Sequence, residues 1–114
     1  MKRKMLNYQI VTLCGSLKFK DVFDKIEKKL IDDGYIVLTP MYDNYLNLDI
    51  ETLHKVHDNK MSISDFIVLI DVDGYVGKNT QREIDFCKTN NINIISYRDI
   101  SNFERPTVTC NINK

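Results

Sequence analysis

One carboxylate in this chain is placed for chemistry. Glu83 closes the segment Asp71-Val72-Asp73-Gly74-Tyr75-Val76-Gly77-Lys78-Asn79-Thr80-Gln81-Arg82-Glu83, which directly follows the apolar run Phe66-Ile67-Val68-Leu69-Ile70. That order reads as strand, glycine-bearing loop, then the first turn of a helix. A carboxylate there overhangs the end of a parallel sheet, where open α/β folds keep their sites. Thr80-Gln81-Arg82-Glu83 is also a formal capping box, in which Glu83 would bond back to the Thr80 N–H. Gly74 and Gly77 go beyond what a cap needs, because they leave a loop that a ligand can approach closely.

Cys14-Gly15-Ser16 forms a second candidate. Glycine admits a ligand to the backbone, free N–H groups at a following helix start can hold phosphate or sugar hydroxyls, and Lys18 and Lys20 are close in sequence. The plainer reading is a turn with Ser16 as N-cap. Cys14 as a nucleophile has no histidine placed by sequence to activate it, and a buried strand-end thiol is usually inert. Asp58, in His57-Asp58-Asn59-Lys60, is the third candidate. It either meets Glu83 across a cleft or is a solvated helix-surface acid. His54 and His57 lie at i, i+3, but no HExxH and no third ligand accompanies them, so no metal is expected. Tyr42, Tyr45 and Tyr75 fall in loops on the ligand side, where each could stack on a base or simply pack.

The elements that must hold these residues alternate between strand and helix. Residues 9–14 (Gln-Ile-Val-Thr-Leu-Cys) read as a strand. Phe19, Val22, Phe23, Ile26 and Leu30 then form a helical stripe that Gly34 stops. Residues 35–39 are a second strand ended by Pro40. Asp49 is an N-cap for a helix through about Ser62, with Ile50, Leu53, His57 and Met61 on its apolar side. A third strand covers 66–71, a helix runs from about Thr80 to Thr89, and a fourth strand covers 92–97. The tail 98–114 offers one further edge strand around Thr107–Cys110. Strands separated by helices imply parallel pairing with right-handed crossovers, so the expected fold is α/β: a flavodoxin-like or Rossmann-like three-layer sandwich with four to five parallel strands in one domain.

Composition excludes several classes. The chain has 114 residues, enough for one domain, and its 43% hydrophobic content supports a core. Sixteen acidic and sixteen basic side chains balance, which disfavours a long nucleic acid as partner. Three cysteines without framework spacing argue against disulfides and a zinc site, and for a cytoplasmic setting. Met1-Lys2-Arg3-Lys4 is followed by no long apolar region, which argues against a signal peptide, and the run 66–70 is too short for a membrane span.

Taken together, the strand-end Cys14-Gly15-Ser16, the segment His57-Asp58 leading through Ser64-Asp65 into an apolar strand, and the glycine-containing loop ending in Glu83 resemble the nucleoside 2-deoxyribosyltransferase superfamily, including its 2′-deoxynucleoside 5′-phosphate N-hydrolase branch. The resemblance spans roughly residues 8–97. The order of the motifs and the 25 positions between Asp58 and Glu83 are its most specific features. It implies a flavodoxin-like five-stranded sheet and cleavage of the N-glycosidic bond of a 2′-deoxynucleoside or its 5′-monophosphate.

By the same resemblance, Glu83 is the nucleophilic carboxylate, forming a covalent deoxyribosyl ester, and Asp58 orients sugar and nucleophile or manages the leaving base's proton. Gly15 and Ser16 match the loop near the sugar or the 5′ group; Cys14 and Lys18 stand beside them as candidate substrate contacts on the residue reading alone. Gly77, Lys78, Asn79 and Thr80 match the loop that cradles a 5′-phosphate in the hydrolase branch; Gly74, Tyr75 and Tyr42 are further candidate substrate contacts from their loop positions, not from the resemblance. Thr12 and Leu13 stand where many members carry a first-strand tyrosine. No cofactor is implied. A homodimer or higher homo-oligomer is expected, with Thr107 or Thr109 as groups a neighbouring subunit could supply. Two other readings stand beside this one: a non-catalytic nucleotide-binding or sensing module of the same fold, and a flavodoxin. Gly15-Ser16-Leu17-Lys18-Phe19 is not rich in serine and threonine, as a flavin phosphate loop after the first strand would be.

Overall fold

A computed structural model describes residues 8–40 and 47–102. Four strands form one all-parallel sheet: β1 (Ile10–Gly15), β2 (Ile36–Leu38), β3 (Phe66–Ile70) and β4 (Ile94–Ser96), in the order β2-β1-β3-β4. Helix α1 (Lys20–Asp32) joins β1 to β2, α2 (Ile50–Ser62) joins β2 to β3, and α3 (Lys78–Thr89) joins β3 to β4. The chain therefore turns one way from β1 to β2 and the other way from β3 to β4. That switch point, between β1 and β3, is where such sheets leave a crevice beyond the carboxyl ends of their strands.

Side-chain alternation along the strands separates two cores. Val11 and Leu13 of β1, with Phe66, Val68 and Ile70 of β3, face α1, where Phe23 and Leu30 complete the packing beside Ile100. Cys14, Ile67 and Leu69 face the other way, onto Met61 of α2 and Cys87 of α3. Helices thus cover both faces of the sheet, giving the three-layer arrangement. Right-handed crossovers put α2 and α3 on the same face, so residues 58 and 83 lie on one side of the molecule.

Most element ends follow the local chemistry. Gly34 adopts φ 96° just past α1, and the Asp49 carboxylate caps α2 by accepting from the Thr52 N–H at 2.8 Å. Asp65 ties two elements together: its carboxylate accepts from the Ile10 N–H at 2.7 Å while its own N–H donates to the Ile10 carbonyl.

Two expectations are corrected. First, α3 starts at Lys78, with Gly77 as its N-cap and no side-chain capping bond. Thr80 is therefore inside the helix, and the capping box does not form. Second, β4 is shorter than 92–97. The Ile92 N–H is used to close α3 on the Cys87 carbonyl, and Tyr97 opens a 3₁₀ turn through Asn102. The suggested edge strand at Thr107–Cys110, like Tyr42 and Tyr45, lies outside the described residues.

Thr12 is fully buried on the α2 face of β1. Its hydroxyl lies 2.7 Å from Ser64 Oγ and 3.2 Å from the Lys60 carbonyl, pinning the end of α2 to the central strand. Thr12→Val keeps the shape and leaves that polar pair one partner short. It is expected to cost about 1–2 kcal/mol in chemical denaturation, with no change in the denaturant slope.

Candidate active site

A cavity of about 670 Å³ opens at the carboxyl end of the sheet, within the size range of small-molecule sites, roughly 300–1,000 Å³. Gly15 and Leu17 supply its floor from the end of β1, and Pro40 borders it from the end of β2. Ile50, Leu53, His54, Val56, His57 and Lys60 line it from α2; Lys78, Asn79, Arg82 and Glu83 line it from α3. The expected apolar side of α2 is thereby divided. Met61 and His57 are buried against the sheet, whereas Ile50 is 70% exposed at the cavity. The first turns of α2 project past the strand ends, so their apolar residues wall a cleft and do not fill a core.

Glu83 is the buried acid of this cavity, with 6% of its surface exposed. Its Oε2 lies 3.6 Å from His57 Nε2, and the same nitrogen lies 3.3 Å from Cys14 Sγ. Cys14 Sγ also lies 3.3 Å from Met61 Sδ. Burial pushes the Glu83 carboxyl up to about 7; the Arg82 charge and a bond from the Cys14 thiol oppose that rise, and Asp58 adds to it. Burial pulls His57 down to about 4, helped by the positive charge of Lys60 and opposed by Asp58. Burial, reinforced by Glu83, raises Cys14 well above the usual thiol range. Near neutral pH the trio therefore carries a neutral imidazole, a thiol and a carboxyl poised to ionise. A raised thiol pKa makes Cys14 a poor nucleophile.

Asp58 does not line the cavity. Arg82 grips its carboxylate with two nitrogens, at 3.1 and 3.2 Å, and Arg82 itself lines the cavity beside Glu83. The group that reaches Glu83 from α2 is thus His57, the chain neighbour of Asp58. Gly15, Lys78 and Asn79 do line the cavity. The first amides of α3 lack a side-chain cap, so this helix start presents free N–H groups beside Lys78 and Asn79.

Ser16, Lys18, Gly74, Tyr75, Gly77 and Thr80 are not among the residues lining the cavity. Ser16 caps the short turn 17–19, accepting from the Lys18 N–H at 3.4 Å. Lys18 lies over the Tyr75 ring, 3.7 Å from its centroid, and Tyr75 meets Phe19 edge-on. Gly77 lies against Tyr75, whose hydroxyl is 3.2 Å from where a Cβ would stand. Gly74 has open space around it and is required only for its φ of 79°. Lys18, Phe19 and Gly77 thus pack around the Tyr75 ring, away from the cavity lining.

His57, Arg82 and Lys60 are the residues that sequence reasoning did not single out as site groups. The sequence sets His57 on the apolar side of α2, beside Asp58 in the family-like segment, and pairs it with His54 only as a possible metal ligand, whereas its partners in space are Cys14 and Glu83. The alternation of β1, which turns Cys14 toward α2, was the available signal.

No protein family model matches the chain, nor does any curated protein or any solved structure.

Proposed function

We propose that the protein cleaves the N-glycosidic bond of 2′-deoxynucleosides or their 5′-monophosphates, with Glu83 as nucleophile. The supporting observation is a buried carboxyl, poised near neutrality, on the wall of a nucleoside-scale cavity at the sheet's switch point. Cleavage of such a bond passes through an oxocarbenium-like state at C1′. A carboxylate beneath that carbon stabilises the charge and can trap it as an ester. Water then completes hydrolysis, and a second base completes transfer.

The neighbouring groups fit divided roles. The carboxylate form of Glu83 is the one that attacks; its proton goes to solvent, because His57, held down to about 4, is a weaker base than this carboxylate. Asp58 acts at one remove, as a positioning residue that holds Arg82 at the cavity. Lys78, Asn79 and the uncapped amides of α3 suit an anionic 5′ group. Leu17, Pro40, Ile50 and Leu53 supply apolar walls for a base and a sugar without a 2′-hydroxyl.

Incubation with the four deoxynucleosides and their 5′-monophosphates, followed by chromatographic separation of free bases, tests this reading. Release of base that Glu83→Ala abolishes supports it. Ligand binding with no base released over hours would replace it with the nucleotide-binding module.

The ionisation of Glu83 also predicts the pH profile. Arg82, Asp58, Cys14 and His57 face this carboxyl; burial, with a smaller push from Asp58, outweighs Arg82 and the Cys14 bond and holds the proton to about pH 7. The reactive form is therefore lost as pH falls. The logarithm of kcat/KM should climb roughly one unit per pH unit below about 7 and level off above it. Initial rates between about pH 5 and about pH 9 check this; a flat profile would remove Glu83 ionisation from the rate.

A further inference from the structure

Cys14, His57 and Glu83 come from three different elements and place one sulfur, one nitrogen and one oxygen within 4.8 Å of one another. Two of the separations are 3.3 Å, from Sγ to Nε2, and 3.6 Å, from Nε2 to Oε2. Ligand atoms around a tetrahedral zinc ion, at the usual bond lengths, stand roughly 3.3–3.6 Å apart. In a nucleophilic relay the acid would take the histidine nitrogen remote from the thiol. Here thiol and carboxyl converge on the same nitrogen, while Nδ1 has no hydrogen-bond partner. Convergence of three different donors on a common point is what a cation needs and a relay does not.

We propose that Cys14, His57 and Glu83 bind a borderline divalent cation, Zn²⁺ foremost, with the fourth coordination position open to the cavity. The donor set of one thiolate, one imidazole and one carboxylate selects Zn²⁺ over Mg²⁺ or Ca²⁺, which take oxygen ligands. His57 and Glu83 both line the cavity, so the open position faces a bound ligand. Two cationic neighbours are engaged elsewhere: Arg82 on Asp58, and Lys60, whose ammonium donates to the Thr39 carbonyl at 2.7 Å. Binding displaces the thiol proton, and any proton on Glu83, to solvent. No electron is transferred. The cation site stands on these three side chains whatever the reaction; where both hold, ion and sugar compete for Glu83, and zinc inhibits base release.

The test is titration of the full-length, chelator-treated protein with Co²⁺, followed by absorption. The expected result is a thiolate-to-Co²⁺ charge-transfer band with intense visible bands of four-coordinate cobalt, saturating at one ion per chain. Zn²⁺ should bleach both. A Cys87→Ser, Cys110→Ser double variant should keep the charge-transfer band and Cys14→Ser should lose it. His57→Gln should weaken binding by at least about 100-fold, beyond the 10–100-fold of losing an outer partner. Absence of the band in the unmodified chain, its loss in the double variant or its survival in Cys14→Ser would overturn the site. Should Cys14→Ser fail to fold by circular dichroism, undiminished Co²⁺ affinity in His57→Gln would overturn it equally. Base release by the metal-free protein is a separate measurement, so either idea can fail without the other.

Discussion

At about pH 8, Glu83→Gln is expected to be more stable than the unaltered chain by up to about 3 kcal/mol, and to release base at least about 10³-fold more slowly. The two effects share one cause. In the folded chain the Glu83 carboxyl has its pKa raised from 4.5 to about 7, first by burial. The folded state therefore holds this proton more tightly than the unfolded state across that window. Stability falls as pH rises through it, and above it the cost is constant. Glutamine is never ionised and removes the cost, so the gain should shrink toward zero by about pH 4, where both states are protonated.

His57 contributes with the opposite sign. Its folded pKa is depressed to about 4, so its contribution rises with pH between about 4 and about 6.5. Comparing variant with unaltered chain at each pH cancels that term to first order. Denaturant titrations at the two pH values, run beside base-release assays, check both halves. Equal stability at about pH 8 would mean that the carboxyl is not held in an environment that resists its charge.

Gly15→Ala should be the most damaging small change in the cavity floor. Gly15 pairs with Ile70 where β1 and β3 end, and its φ is 152°. A Cβ there would stand 2.6 Å from the Ile70 carbonyl oxygen and 2.9 Å from the Ile70 Cβ. Neither neighbour is the end of a flexible side chain, so the two central strands would have to part. Backbone strain and overpacking together are expected to cost about 3 kcal/mol or more, lowering Tm by roughly 10–20 °C. Gly74→Ala is the matched control, since a Cβ there meets open space and only the positive φ penalises it. A Gly15→Ala melt indistinguishable from that of Gly74→Ala would show that close strand packing does not select this glycine. The glycine that sequence reasoning assigned to ligand approach thus has a prior duty in the sheet, and lines the cavity as a consequence.

The alternation of elements was legible because each signal was local. The stripe from Phe19 to Leu30, the stop at Gly34 and the cap at Asp49 each depend on a few neighbouring residues, and α1 ends and α2 starts where those signals place them. The start of α3 was misplaced because an extended glycine capped it without a side chain, and the apparent capping box three residues later was more conspicuous.

Within the site, Glu83 was legible from its place after a strand and a glycine loop. Its companions were not, because they depend on long-range register. Cys14 and His57 are 43 positions apart, and their contact follows only once β1 is known to turn Cys14 toward α2. Arg82 claims Asp58 across 24 positions, a pairing no local pattern announces. Lys18 looked available to a phosphate, but the ring of Tyr75, far along the chain, takes it.

Attack of Glu83 on the sugar carbon is the step on which the proposed reaction turns. It is tested most directly by mixing protein with a deoxynucleoside, quenching in acid at the earliest times of base release, and mapping the peptides by mass. The expected result is a deoxyribosyl adduct on the peptide bearing Glu83, absent in Glu83→Gln. Base released by the unaltered chain with no sugar retained on that peptide would contradict it.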